Sequence, residues 1–90
     1  MNNRQVAEAF AQGKREGTGS NLFIEGNTIY SYGYHFPIAI RIQGANGIEY
    51  LWNSDKYSVT TSKHQRYVKD ALGEIVLHYR TTSEMRRASN

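Results

Sequence analysis

The run Leu22-Phe23-Ile24-Glu25-Gly26-Asn27-Thr28-Ile29-Tyr30-Ser31-Tyr32 decides the fold. Gly26-Asn27 separates two apolar segments, and a glycine–asparagine pair there suits a two-residue hairpin turn. The turn sets the register: Ile24 falls opposite Ile29, and Phe23 opposite Tyr30. One face of the hairpin then carries Leu22, Ile24 and Ile29. The other carries Phe23, Tyr30 and Tyr32. Both faces are apolar, so each needs a cover.

Outward from the hairpin the pattern continues in two directions. After a break at Gly33-Tyr34-His35, residues 36–43 alternate, with Ile38, Ile40 and Ile42 on one face and Ala39 and Arg41 on the other. Pro37 stands at the start, where a missing N–H is tolerated. A turn at 44–47 leads to a partner strand over 48–53. A turn at 53–56 and a short extended piece over 57–59 follow. Tyr67, Val68, Ala71 and Leu72 predict a helix over 62–72 that stops at Gly73. Residues 74–80 alternate as a last strand. Upstream, Val6, Ala7, Phe10 and Ala11 form a helical stripe capped by Asn2 or Asn3, and residues 13–20 read as a charged, glycine-rich linker. The expectation is an α+β domain over residues 1–80, in the order α-β-β-β-β-α-β. Its small antiparallel sheet of four to five strands packs with two helices. Residues 81–90 read as a polar tail, frayed or begun as one helical turn by Ser83.

Composition limits the function. The chain has 90 residues, 11 Lys and Arg against 8 Asp and Glu, and no cysteine. That excludes disulfides, cysteine-ligated metals and thiol catalysis, and favours a cytoplasmic protein. No apolar run approaches the roughly 20 residues of a spanning helix, and no apolar signal core opens the chain, so no membrane partner is expected. The mild basic balance suits nucleic acid or a nucleotide. Seven tyrosines suit either wide strands or a recognition surface.

Two motifs stand out: Tyr30-Ser31-Tyr32-Gly33-Tyr34-His35-Phe36-Pro37-Ile38-Ala39, and Tyr57-Ser58-Val59-Thr60-Thr61-Ser62-Lys63-His64-Gln65. At this spacing they resemble a family of small proteins of unknown function from bacteriophages and related mobile elements, over about residues 21–72. The resemblance implies a shared fold and a phage-type origin, and no activity. Tyr34 and the arginine-bearing tail depart from the pattern, so nothing is carried over to that tail.

The candidate ligand-binding residues are Tyr30, Tyr32, His35, Thr60, Thr61, Ser62, Lys63 and His64. Thr60 to Lys63 stand where a strand gives way to a helix, and unpaired N–H groups there favour an anion. Thr61 or Ser62 can equally be a plain N-cap, which leaves Lys63 free. His64 falls on the buried stripe, where a neutral ring bonded to a carbonyl is the structural alternative to a functional one. His35 either holds the Gly33 turn or lines a site with Tyr32 and Tyr34. The face of Phe23, Tyr30 and Tyr32 either stacks bases or lies under the N-terminal helix, against Val6 and Phe10. No metal-ligand spacing, paired carboxylates or nucleophile with its base is evident, so no cofactor, metal or catalytic activity is expected. Two functions compete: a non-catalytic accessory protein that binds nucleic acid or a phosphate-bearing ligand, and a host-interaction protein that inhibits a bacterial defence complex or enzyme. A homodimer is a candidate because a second copy would cover the spare apolar face.

Overall fold

The computed structural model describes residues 1–89. Asn2 opens the first helix, α1 (Asn3–Ala11): its side chain accepts the Gln5 N–H while the Gln5 side chain accepts the Asn2 N–H. This reciprocal cap satisfies two of the helix's orphan donors. Five strands follow in meander, β1 (Glu16–Thr18), β2 (Leu22–Glu25), β3 (Thr28–Ser31), β4 (Pro37–Gly44) and β5 (Gly47–Asn53). Helix α2 (Val59–Leu72) then crosses over to β6 (Leu77–Arg80), and α3 (Thr82–Ser89) closes the described chain. The sheet order is β1-β2-β3-β4-β5-β6, antiparallel except for the parallel β5–β6 pair.

The hairpin register is the one the Gly26-Asn27 turn requires, with Phe23 opposite Tyr30 and Ile24 opposite Ile29. Other expectations are corrected. Among the described residues the sheet has six strands and is mixed, and there are three helices rather than two. Residues 16–18, expected in a linker, pair with β2 as an edge strand; pairing through backbone groups needs no apolar side chains. Helix α2 begins at Val59, three residues early, because Ser58 and not Thr61 or Ser62 is its N-cap: the Ser58 Oγ accepts the Thr61 N–H at 3.1 Å.

One face of the sheet packs under α1 and α2, in a core that joins Val6, Phe10, Leu22, Ile24, Ile29 and Val68. Helix α1 therefore lies on the Leu22–Ile24–Ile29 side, not over Phe23 and Tyr30. A bulge explains a second departure. Tyr30 pairs with Pro37 and Ile29 with Ala39, so Ile38 is an extra residue on β4. Adjacent residues of a bulge need not alternate, and both Ile38 and Ala39 enter the core. Arg41, on β4, reaches the carbonyl of Phe10 at the end of α1 and lies over the Phe10 and Tyr50 rings. Its charge sits at the negative end of a helix whose last turn holds no basic residue of its own.

The opposite face is partly covered by α3, which rests on β4 and β5 and buries Met85 completely. The polar tail expected over 81–90 is thus a docked helix through Ser89, and Asn90 lies outside the described residues. Two carboxylates start this helix. Asp55 Oδ2 accepts the Thr82 N–H at 2.8 Å, and Glu84 Oε1 accepts the Thr81 N–H at 2.9 Å. Those hydrogen bonds hold both carboxyls below their usual range. A depressed carboxyl pKa gives stability that is present above the unfolded value and lost as pH falls through the folded one. Acidification into the carboxylate range should therefore loosen α3. Amide protection within residues 82–89, corrected for the intrinsic exchange rate, should fall below about pH 4 before that of β4 does, and Asp55→Asn should shift part of this loosening to neutral pH. Uniform exchange across the chain would refute this order.

Candidate functional site

Ser31 ends β3 on the face that meets α2, and there it touches two α2 side chains. Its Oγ is 2.8 Å from His64 Nδ1 and 3.3 Å from Thr61 Oγ1. Thr61 also accepts a hydrogen bond from the capping Ser58 hydroxyl at 3.1 Å. On its far side the His64 ring meets Asn3, with 3.4 Å from Nδ2 to Nε2. Asn3 Oδ1 accepts the Asn21 N–H, so its Nδ2 is the donor and His64 Nε2 the acceptor. His64 Nδ1 therefore carries the proton and donates it to Ser31. Gly19 makes room for this: a Cβ there would lie 2.5 Å from Asn3 Oδ1.

Ser31, Thr61 and His64 are all buried. Burial first, and then the charge of Lys63, pushes the His64 pKa down. A protonated ring would also turn a second N–H toward the Asn3 donor. His64 is thus a neutral structural pin joining α1, β3 and α2, held by side chains and not by a carbonyl. A histidine with a depressed folded pKa lets the unfolded state take up protons first, so stability is complete above pH 6.5 and falls as pH drops below it. His64→Ala should cost about 2–4 kcal/mol through the cavity and the unpaired Ser31 hydroxyl. It should also flatten the dependence of the unfolding midpoint between pH 7.5 and 5.5, read by thermal melts. A cost under about 0.5 kcal/mol would refute the pin.

Tyr32 follows Ser31 at φ +69°, the one non-glycine residue with positive φ among those described. The Gly33 N–H bonds back to the Ser31 carbonyl at 2.8 Å, which closes a tight turn around it. The exposed Tyr32 ring leans on the His64 ring, centroids 5.7 Å apart. A bulky residue in this region is strained, and such strain tends to collect at functional positions. Tyr32→Val should be less stable than Tyr32→Gly by about 1–2 kcal/mol, although both remove the ring. Equal stabilities in denaturant unfolding would mean that the loop does not hold this conformation.

Two clefts open beside α2 and share Lys56, Ser62 and Arg66. The first is also lined by Tyr57, Ser58, Val59 and Lys63. The second extends along the helix past Gln65 to Lys69 and Asp70. Lys56, Lys63, Arg66 and Lys69 are exposed. Among the described residues the only basic side chain within 4.0 Å of a carboxylate is His78, 2.7 Å from Glu49, so these four cations have no carboxylate partner. Lys63 and Lys69 instead lie over aromatic rings, of Tyr67 and of Trp52 and Tyr79.

The sequence-derived candidates therefore separate. Ser62 and Lys63 line the cationic cleft, and Thr60 is exposed in the first turn of α2 beside them. Thr61 and His64 are internal supports, with Tyr32 over the latter. His35 is exposed and meets the Tyr57 ring edge-on at 5.8 Å. Tyr30 points to the other sheet face, stacked on Phe23 with Tyr34 edge-on to both. Lys56 and Arg66 also belong to the cleft, beyond the residues that the sequence pattern points to. Arg66 carried a signal, three residues after Lys63 on one helix face; Lys56 is brought in by the loop. No protein-family profile, curated protein or solved structure matches the chain.

Proposed function

We propose that this protein binds phosphate groups, those of nucleic acid foremost, on the exposed face of α2, without catalysing a reaction. The observation that carries the reading is the convergence of Lys56, Lys63 and Arg66 on one cleft with the Ser58 and Ser62 hydroxyls and no carboxylate. Lys69 continues the basic line, and Asp70 is the one acid along it. Unpaired cations in a row favour a polyanion, and hydroxyls add hydrogen bonds to phosphate oxygens. Tyr57 supplies a ring at the cleft edge for a base or sugar to rest on. The nearest approach to a nucleophile and base is Ser31 with His64, and both are out of a substrate's reach. The motif resemblance would place the protein among phage-type accessory proteins working in the host cytoplasm. No helix among the described residues is long and apolar enough to cross a membrane.

Fluorescence anisotropy with labelled single-stranded and duplex DNA tests this. Affinity should fall steeply with salt. Lys63→Ala and Arg66→Ala should each weaken binding to all sequences alike and reduce the salt slope by about one. Absence of binding at low salt would overturn the reading.

A second reading draws on the exposed rings of Tyr32, Tyr34 and Tyr57 with the nearly bare Val59. Exposed tyrosines are common interface anchors, which suits a protein that inhibits a host enzyme or defence complex by direct contact. A stable complex with one host protein, lost in Tyr57→Ala and kept in Lys63→Ala, would favour it over the first.

A further inference from the structure

The two edges of the sheet differ. The β1 edge is three residues long and flanked by Lys14, Arg15 and Glu16, all exposed, in the manner of edges guarded by charge. The β6 edge is bordered by Ile75 (38% exposed), Val76 (52%) and Tyr79 (59%), and Ile75 and Val76 share one groove with Ile48 (45%). Its free backbone groups can be assigned. Tyr50 donates to the Val76 carbonyl and Ser54 to the Arg80 carbonyl, so the even-numbered residues of this segment face β5. Strand alternation then turns the N–H and C=O groups of Leu77 and Tyr79 outward, and the Val76 bond to Tyr50 carries the same alternation back toward Ile75, just ahead of the strand. One of these carbonyls already draws a donor: Arg80 Nη1 folds back on the Tyr79 carbonyl at 2.9 Å.

We propose that β6 pairs antiparallel with β6 of a second copy of this chain, across a two-fold axis at Leu77, joining two sheets into one. The register follows from chemistry. Only an axis that matches odd residues with odd residues brings outward groups together, and an axis at Leu77 sets Leu77 against its own copy and Ile75 against Tyr79. About six inter-strand hydrogen bonds result. Val76 then faces His78, and Ile75 with Tyr79 is a β-branched–aromatic pair of the kind that stabilises sheets. As pairing extends the strand back through residues 74–76, Glu74, now at the bend before β6, meets Arg80 on the same face, twice by symmetry. Arg80 exchanges its own strand's carbonyl for that carboxylate, and the carbonyl passes to the partner's Ile75 N–H. Moving the axis to His78 would set Glu74 opposite Thr82, inside α3, and moving it to Val76 would set Arg80 opposite Leu72, inside α2, so both lose the charge match. A two-fold contact uses the same patch on both copies and closes on itself, which a self-complementary segment permits. Helix α3 lies over β4 and β5, on a face of the sheet and not at this edge.

Sedimentation of the full chain over a range of concentrations tests the proposal, with circular dichroism to confirm that each variant folds. The parent should sediment as a dimer that dissociates on dilution. Glu74→Arg and Arg80→Glu should each weaken the dimer by about tenfold, because two attractive pairs become repulsive. The double variant Glu74→Arg/Arg80→Glu should return it to near the parent value. Amide exchange at Leu77 and Tyr79 should slow as the dimer forms. A chain that stays monomeric at all soluble concentrations overturns the proposal. So does a dimer indifferent to both single variants, or one that the double variant fails to restore.

Discussion

Asn53 is the tie on which the arrangement of layers depends. It is fully buried at the end of β5. Its amide donates to the Pro37 carbonyl at 2.9 Å and lies 3.0 Å from the Thr82 hydroxyl, and its own carbonyl accepts from Gln65 at 3.0 Å. One side chain and one carbonyl thus join β4, α2 and the start of α3. A buried polar group with every partner in place fixes a single geometry, while a missing partner is costly. The loop after Asn53 carries Asp55 to α3 and Lys56 to the cleft, so the same tie positions the cap of one helix and a cation of the candidate site.

What the sequence made legible was whatever local chemistry alone decides. The hairpin register needs only Gly26-Asn27 and two apolar runs. The start of α2 is hidden in the sequence because Val59, Thr60 and Thr61 are β-branched and suit a strand, while Ser58 caps a helix through its position and its hydroxyl. Strand β1 leaves no pattern because Glu-Gly-Thr has no apolar side chain to alternate; its pairing is a matter of backbone. Helix α3 is illegible because only Met85 is an apolar anchor there, and its carboxylate cap on Thr82 comes from Asp55, 27 residues away. The displacement of Ile38 needed the bulge, which appears only once β3 and β4 are side by side.

The candidate site divides along the same line. Ser62 and Lys63 are neighbours in sequence and in the cleft. The pin beneath them joins Asn3, Ser31 and His64, separated by up to 61 positions, and no spacing rule connects those residues. Its effect on the cleft is indirect. By holding the first turns of α2 against β3, it leaves the opposite side of the helix, with Lys63 and Arg66, turned outward. A functional surface and its foundation occupy two sides of one helix.

The docked α3 also bears on how the chain is made. The strand meander from β1 to β5 is local in sequence and can form while synthesis continues, whereas the last helix leaves the ribosome at the end of the described chain. Until it arrives, the apolar seat of Met85 on β4 and β5 stays open, and the Asp55 carboxylate has no N–H of Thr82 to accept. Docking of α3 is then the event that seals the sheet, and a nascent chain stalled before Thr82 would present that seat to chaperones.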